Sequence, residues 1–147
     1  MRGSRTLVDR SKVVDLEEAN RILPQVRTLV ERIGRRVALR QRLSNEIVVL
    51  QLVYESSAGA TGPEFQEFLD KSVRYHRLGG QVDAFVDRLA GMGCVVRDRD
   101  PRWADFTFLR EDGLALLCWR RSEPSVAHWH FMHEPHSARR LLEPPDA

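Results

Sequence analysis

Asp105-Phe106-Thr107-Phe108-Leu109, followed by Asp112-Gly113 and then Leu114-Ala115-Leu116-Leu117-Cys118-Trp119, is the stretch that decides the fold. The first run alternates as a half-buried strand does, Asp112-Gly113 is a two-residue hairpin signal, and the second run is apolar enough for a buried strand. Working outward, Cys94-Val95-Val96-Arg97 on one side and Val126 to Phe131 on the other read as further short strands. Ser122-Glu123-Pro124-Ser125 supplies the second reversal. Consecutive reversals of this kind predict an antiparallel β-meander of three or four strands.

Upstream the period changes from two to between three and four. Val26, Leu29, Val30, Ile33, Val37, Leu43, Ile47, Leu50 and Tyr54 form one helical stripe that predicts a helix to about Glu55. Asp15 is placed to cap its start, with Glu18 three residues on as in a capping box. Pro24 lacks a backbone donor and disfavours helix at Leu23, so the expectation is a short helix over 16–22 and a long one from Pro24. Residues 56–63 read as a loop, and Phe65, Phe68, Leu69, Val73, Leu78, Val82, Phe85, Val86 and Leu89 repeat the helical spacing up to Gly91 and Gly93. Gly79-Gly80 marks a kink, a close backbone approach or a short break in that second helix.

The predicted fold class is therefore α+β: a long antiparallel helical hairpin over 13–92 packed with a small meander over 93–142, and a tail at 143–147. One domain spanning 1–147 suits the length of 147 residues. The fraction of hydrophobic residues is 42% and of charged residues 30%, which fits a globular core with a charged surface. Lys and Arg number 23 against 21 Asp and Glu, a net charge of +2 that is too small to imply nucleic acid by itself. No apolar run approaches membrane-spanning length. Two cysteines, Cys94 and Cys118, are expected as buried structural thiols in a reducing cytoplasm. Met1-Arg2-Gly3-Ser4 is either native or a vector remnant and carries no weight in the fold.

Four of the five histidines fall within Val126-Ala127-His128-Trp129-His130-Phe131-Met132-His133-Glu134-Pro135-His136, while His76 lies on the second helix as a surface or core-edge residue. On a strand, His128 and His130 share one face and Ala127, Trp129 and Phe131 the other. Two imidazoles side by side are a common donor pair for one ion, and His133, Glu134 or His136 in the following turn is placed to add a third. Zinc or nickel suits such donors. The bland alternative is a solvated strand face over an apolar core face. A bound ion with an open position would allow hydrolysis with Glu134 as base, although no HExxH pattern supports it.

Arg32, Arg35, Arg36, Arg40 and Arg42 crowd the first helix, and Arg97, Arg99, Arg102, Arg120, Arg121, Arg139 and Arg140 the second half. Guanidinium groups bind phosphates bidentately, but Asp98, Asp100, Asp105, Glu111, Asp112 and Glu123 lie among them, so solvated ion pairs are the better expectation than phosphate or RNA binding. Leu39 and Val48-Val49-Leu50 lie beside the main helical stripe, more apolar flank than one partner helix covers.

Val14-Asp15-Leu16-Glu17-Glu18-Ala19-Asn20-Arg21-Ile22-Leu23-Pro24-Gln25-Val26-Arg27, then Val96-Arg97-Asp98 through Asp105-Phe106, then Leu117-Cys118-Trp119 through Glu123 to Trp129-His130, resemble a bacterial family known as domain of unknown function 2203. The resemblance covers about residues 13–142 and implies a helical hairpin with a small sheet, without an established activity. Trp129, His130 and Arg139 match its terminal Trp-His and downstream Arg pattern. Arg102, Pro135 and Ala138 stand where the family shows glycine, and His136 where it shows an aromatic residue. The functional expectation is a self-associating binding or interaction module, a coiled-coil-like homodimer through its helices, with a divalent metal at its C-terminal histidines. A metal-dependent hydrolase is the alternative, and an arginine-rich binder of phosphate or RNA the third.

Overall fold

The computed structural model describes residues 12–56, 62–97 and 101–142. Expectations placed on Met1 to Ser4, on most of the 56–63 loop, on Asp98, Arg99 and Asp100, and on the 143–147 tail lie outside the described residues.

Helix α1 runs Leu16–Ser56 and α2 runs Pro63–Gly91. At the start of α1 the Asp15 carboxylate accepts the Glu18 amide at 2.8 Å, the cap read from the sequence. The expected break at Pro24 does not occur, because α1 passes through Pro24 as one helix. An internal proline costs about 3 kcal/mol. Ala19, Leu23, Val26, Leu29 and Val30 are buried on both sides of it, and that burial on one continuous face offsets the lost hydrogen bond. The two helices are antiparallel, as cross-helix partners run in opposite directions: Arg36 donates to Gln81 at 2.9 Å, Lys71 pairs with Glu46 at 2.6 Å, and the Tyr54 and Phe65 rings lie 6.0 Å apart.

Of the three outcomes posed for Gly79-Gly80, close approach is the one realised. A Cβ on Gly79 would lie 2.7 Å from the Arg40 guanidinium, which donates to the Tyr75 carbonyl and sits 3.9 Å over the Tyr75 ring. Gly93 closes the helical half with φ +90°, a conformation in which a side chain would be strained.

The sheet has five antiparallel strands in sequence order: β1 Cys94–Val95, β2 Trp103–Arg110, β3 Gly113–Arg120, β4 His128–Phe131 and β5 Arg140–Leu141. The fifth, two residues long, goes beyond the predicted three or four. The two-residue β2–β3 turn is Glu111-Asp112, one residue before the expected Asp112-Gly113, and Gly113 at φ +125° opens β3 opposite Arg110. Register fixes two faces. Ala104, Phe106, Ala115, Leu117, Trp119 and Trp129 point toward the helices and form one core with Ala19, Leu23, Val26, Val30, Ile33, Val82 and Leu89. Asn20 locks the helix to the β3–β4 connection, its side-chain oxygen accepting the Val126 amide at 2.8 Å and its side-chain nitrogen donating to the Val126 carbonyl at 3.1 Å. No helix of the described residues is long and apolar enough to cross a membrane.

Candidate metal centre

The opposite face of the sheet carries the unusual chemistry. Asp105, Cys118 and His128 stand in one cross-strand row, since Asp105 pairs with Cys118 and Cys118 with His128. His130, two residues along β4, points to the same side. The segment after β4 turns back over this face through a short 3₁₀ turn, His136–Ala138, and lays His136 against it. One donor atom each from Asp105, Cys118, His130 and His136 then lies within 4.8 Å of all the others. Asp105 is 1% exposed, and Cys118 and His130 are fully buried.

Hydrogen bonding orients these groups. His130 Nδ1 lies 2.7 Å from the Phe131 carbonyl, an oxygen that only accepts, so Nδ1 donates there and Nε2 is the ring nitrogen turned to the cluster. His130 Nε2 faces Asp105 Oδ1 at 3.5 Å. Both atoms are buried, and neither has a hydrogen-bond partner. Asp105 Oδ2 is 3.1 Å from His136 Nε2 and 3.4 Å from Arg97 Nε. The His136 ring is stacked on Trp103, centroids 4.6 Å apart, and meets the His130 ring edge-on at 5.3 Å. Burial, then the neighbouring Asp105 carboxylate, pushes the Cys118 thiol up to about 12.

This is not a thiol-hydrolase arrangement. A cysteine nucleophile needs an imidazole that takes its proton and a lowered pKa. Here His130 Nε2 is directed at a carboxylate rather than at the thiol, and the thiol is held in its neutral form. An imidazole nitrogen from each of His130 and His136, a thiol and a carboxylate brought together on one face are instead the donor set of a zinc-type ion. A tetrahedral ion with bonds of about 2.0–2.3 Å sets its donors about 3.3–3.8 Å apart. The His130–Asp105 separation of 3.5 Å lies in that range, the His136–Asp105 separation of 3.1 Å falls just short of it, and all four donors lie within 4.8 Å of one another, so the residues fit the ion with side-chain adjustments of about 1 Å. The Phe131 carbonyl supplies the outer-shell contact that fixes a metal-bound imidazole's tautomer.

The sequence-predicted donors divide. His130 and His136 join the cluster. His128 shares the face, as strand parity predicted, but its Nδ1 is buried without a hydrogen-bond partner, 3.9 Å from Glu123. His133 is exposed and stacks on Phe131. Glu134 accepts the Phe131 amide at 2.9 Å and pairs with Arg140 through both oxygens, which holds its carboxyl down to about 2 and away from the cluster. Trp129 packs in the helix-side core between Arg110 and Arg140. Arg139 forms a two-pronged pair with Glu123 and contacts the Cys118 thiol, and Glu123 caps the β3–β4 loop by accepting the Arg120 amide. Sequence reasoning missed Asp105 and treated Cys118 as packing alone. The available signals were a carboxylate inside an otherwise apolar alternating strand and a cysteine of matching parity on the next one. Cys94, on the helix side, is the buried structural thiol expected.

No curated protein and no solved structure matches this chain. A family model described as uncharacterized conserved protein (DUF2203) matches residues 12–142, nearly the whole chain, and the protein belongs to that family.

Proposed function

We propose that this protein is a divalent-metal-binding module, with Asp105, Cys118, His130 and His136 as the ligands and zinc, ahead of nickel, as the ion. The observation that carries the reading is the pair of buried polar atoms without a hydrogen-bond partner, His130 Nε2 and Asp105 Oδ1, facing each other at 3.5 Å beside a thiol. A buried polar atom left unpaired costs about 1–3 kcal/mol, and a cation bound between the two atoms would remove both penalties. Three donors sit on adjacent strands of one sheet and the fourth on the turn that covers them, so four protein ligands close a tetrahedral ion, the pattern of a structural rather than a catalytic site. The hydrolase reading loses its base, because Glu134 is committed to Arg140. Arg97, Arg110, Arg139 and Arg140 are each paired with a carboxylate, which favours binding through the cluster over a phosphate-reading surface.

The module is read as cytoplasmic, on its two unpaired thiols, and as a coiled-coil-like homodimer through its helices. Elemental analysis of untagged protein, followed by zinc, nickel and cobalt titration, tests the metal. One equivalent bound by wild type, lost in Cys118→Ser and in His130→Gln but kept in His133→Ala, is the expected result. No ion bound by wild type, or binding indifferent to Cys118 and His130, would overturn the proposal.

A further inference from the structure

The helical hairpin outreaches the sheet. Helix α1 is 41 residues, about 60 Å at 1.5 Å per residue. Its contributions to the sheet-side core run from Leu16 to Val37 among the described residues, and those of α2 from Val82 to Leu89. Residues 38–56 and 63–81 therefore form a two-helix arm of about 28 Å on which no third layer packs among the described residues. In this arm α1 turns Leu43, Ile47, Leu50 and Tyr54 toward α2. Half a turn round the helix, Ala38, Gln41, Asn45, Val48 and Leu52 form an exposed stripe with steps of three and four, and Val48 and Leu52 are 52% and 61% exposed. That spacing is the a/d pattern of a coiled-coil seam, ended by Glu55 at the next position. The stripe carries no charge, an uncommon condition on a chain in which 30% of residues are charged. Its flanks, Arg42, Ser44, Val49 and Gln51, hold a single charge, and Val49 is 59% exposed.

We infer that this stripe is the face on which a second copy of the chain docks, stripe against stripe, turning two hairpin arms into a four-helix assembly. The inference deepens the reading of a self-associating module by naming its surface. A buried-seam asparagine at an a position is the device by which coiled coils select two-stranded pairing at some cost in stability, and Asn45 occupies that position with its side chain already oriented by Gln41 at 3.1 Å. Covering the stripe and its flanks in both copies buries on the order of 1,000 Å², the lower bound for a specific interface and well short of an obligate dimer. The dimer is therefore concentration-dependent.

Sedimentation equilibrium of the full chain over a wide concentration range, with circular dichroism and zinc stoichiometry on each sample, is the test. Wild type is expected to move from monomer to dimer. Val48→Glu combined with Leu52→Glu, both at exposed sites, abolishes the dimer with helicity and zinc uptake unchanged, and Asn45→Ile tightens association at least tenfold. A wild type that stays monomeric at the highest concentration, or a dimer unmoved by the glutamates and by Asn45→Ile, overturns the inference and leaves the arm to a different protein. Loss of zinc binding in wild type would instead strike the metal reading alone.

Discussion

Cys118→Ala distinguishes a ligand from a well-packed thiol. The side chain is fully buried, so in the presence of chelator its loss removes little more than one sulfur's worth of packing, about 1 kcal/mol. With free zinc at a hundredfold its Kd, wild type gains about 2.7 kcal/mol through mass action, and a variant lacking one ligand forfeits most of that. For a chain of this size 1 kcal/mol moves Tm by about 2–4 °C. The variant should melt about 2–4 °C below wild type in chelator and about 7–15 °C below it in zinc. Scanning fluorimetry in matched buffers reads both gaps. Gaps of equal size would mean that Cys118 contributes packing only, and the donor set argued from Asp105, His130 and His136 would lose its thiolate.

Zinc uptake at neutral pH should release about one proton from Cys118, since burial and Asp105 hold the thiol protonated up to about 12 and only the thiolate ligates; apparent affinity therefore rises with pH, and calorimetry in buffers of different ionisation enthalpy that detects no release would remove the thiol from the site. Gly80→Ala, where an added Cβ meets open space, should raise stability by about 0.5–1 kcal/mol, whereas Gly79→Ala should gain nothing or lose, because its Cβ would displace the Arg40 guanidinium from Tyr75. Urea denaturation comparing the two settles it, and equal gains would show the Arg40 contact to be dispensable. Asn20→Ala should cost about 1–3 kcal/mol in the same assay through the two Val126 backbone bonds it leaves unmade; an unchanged midpoint would mean that water replaces the amide.

Much of the architecture was legible because both of its periods are strong. The stripe from Val26 to Tyr54 gave α1, and the alternation from Asp105 with Asp112-Gly113 gave the β2–β3 hairpin. Pro24 misled because local backbone cost was weighed without the tertiary face that Leu23 and Val26 bury on either side of it. β5 was out of reach, since Arg140 and Leu141 become a strand only by pairing with Trp129 and His128. At the site, parity correctly put His128 and His130 on one face. Local density of histidines was the wrong guide to the remaining donors, because Asp105 and Cys118 reach His130 through strand register and not through chain proximity. His133 and Glu134, close in sequence, are carried away by the turn that delivers His136.

The tryptophans are distributed in a way that gives the molecule its own optical gauge. Trp119 and Trp129 belong to the core between sheet and helices, while Trp103 lies flat against His136, with the Arg139 guanidinium 4.9 Å from its ring. A change in the charge or tilt of that imidazole reaches one indole directly and leaves two in an unaltered setting. In a Trp119→Phe, Trp129→Phe background the remaining emission would report on the His136 side of the cluster alone, so that a zinc titration becomes readable without any added dye.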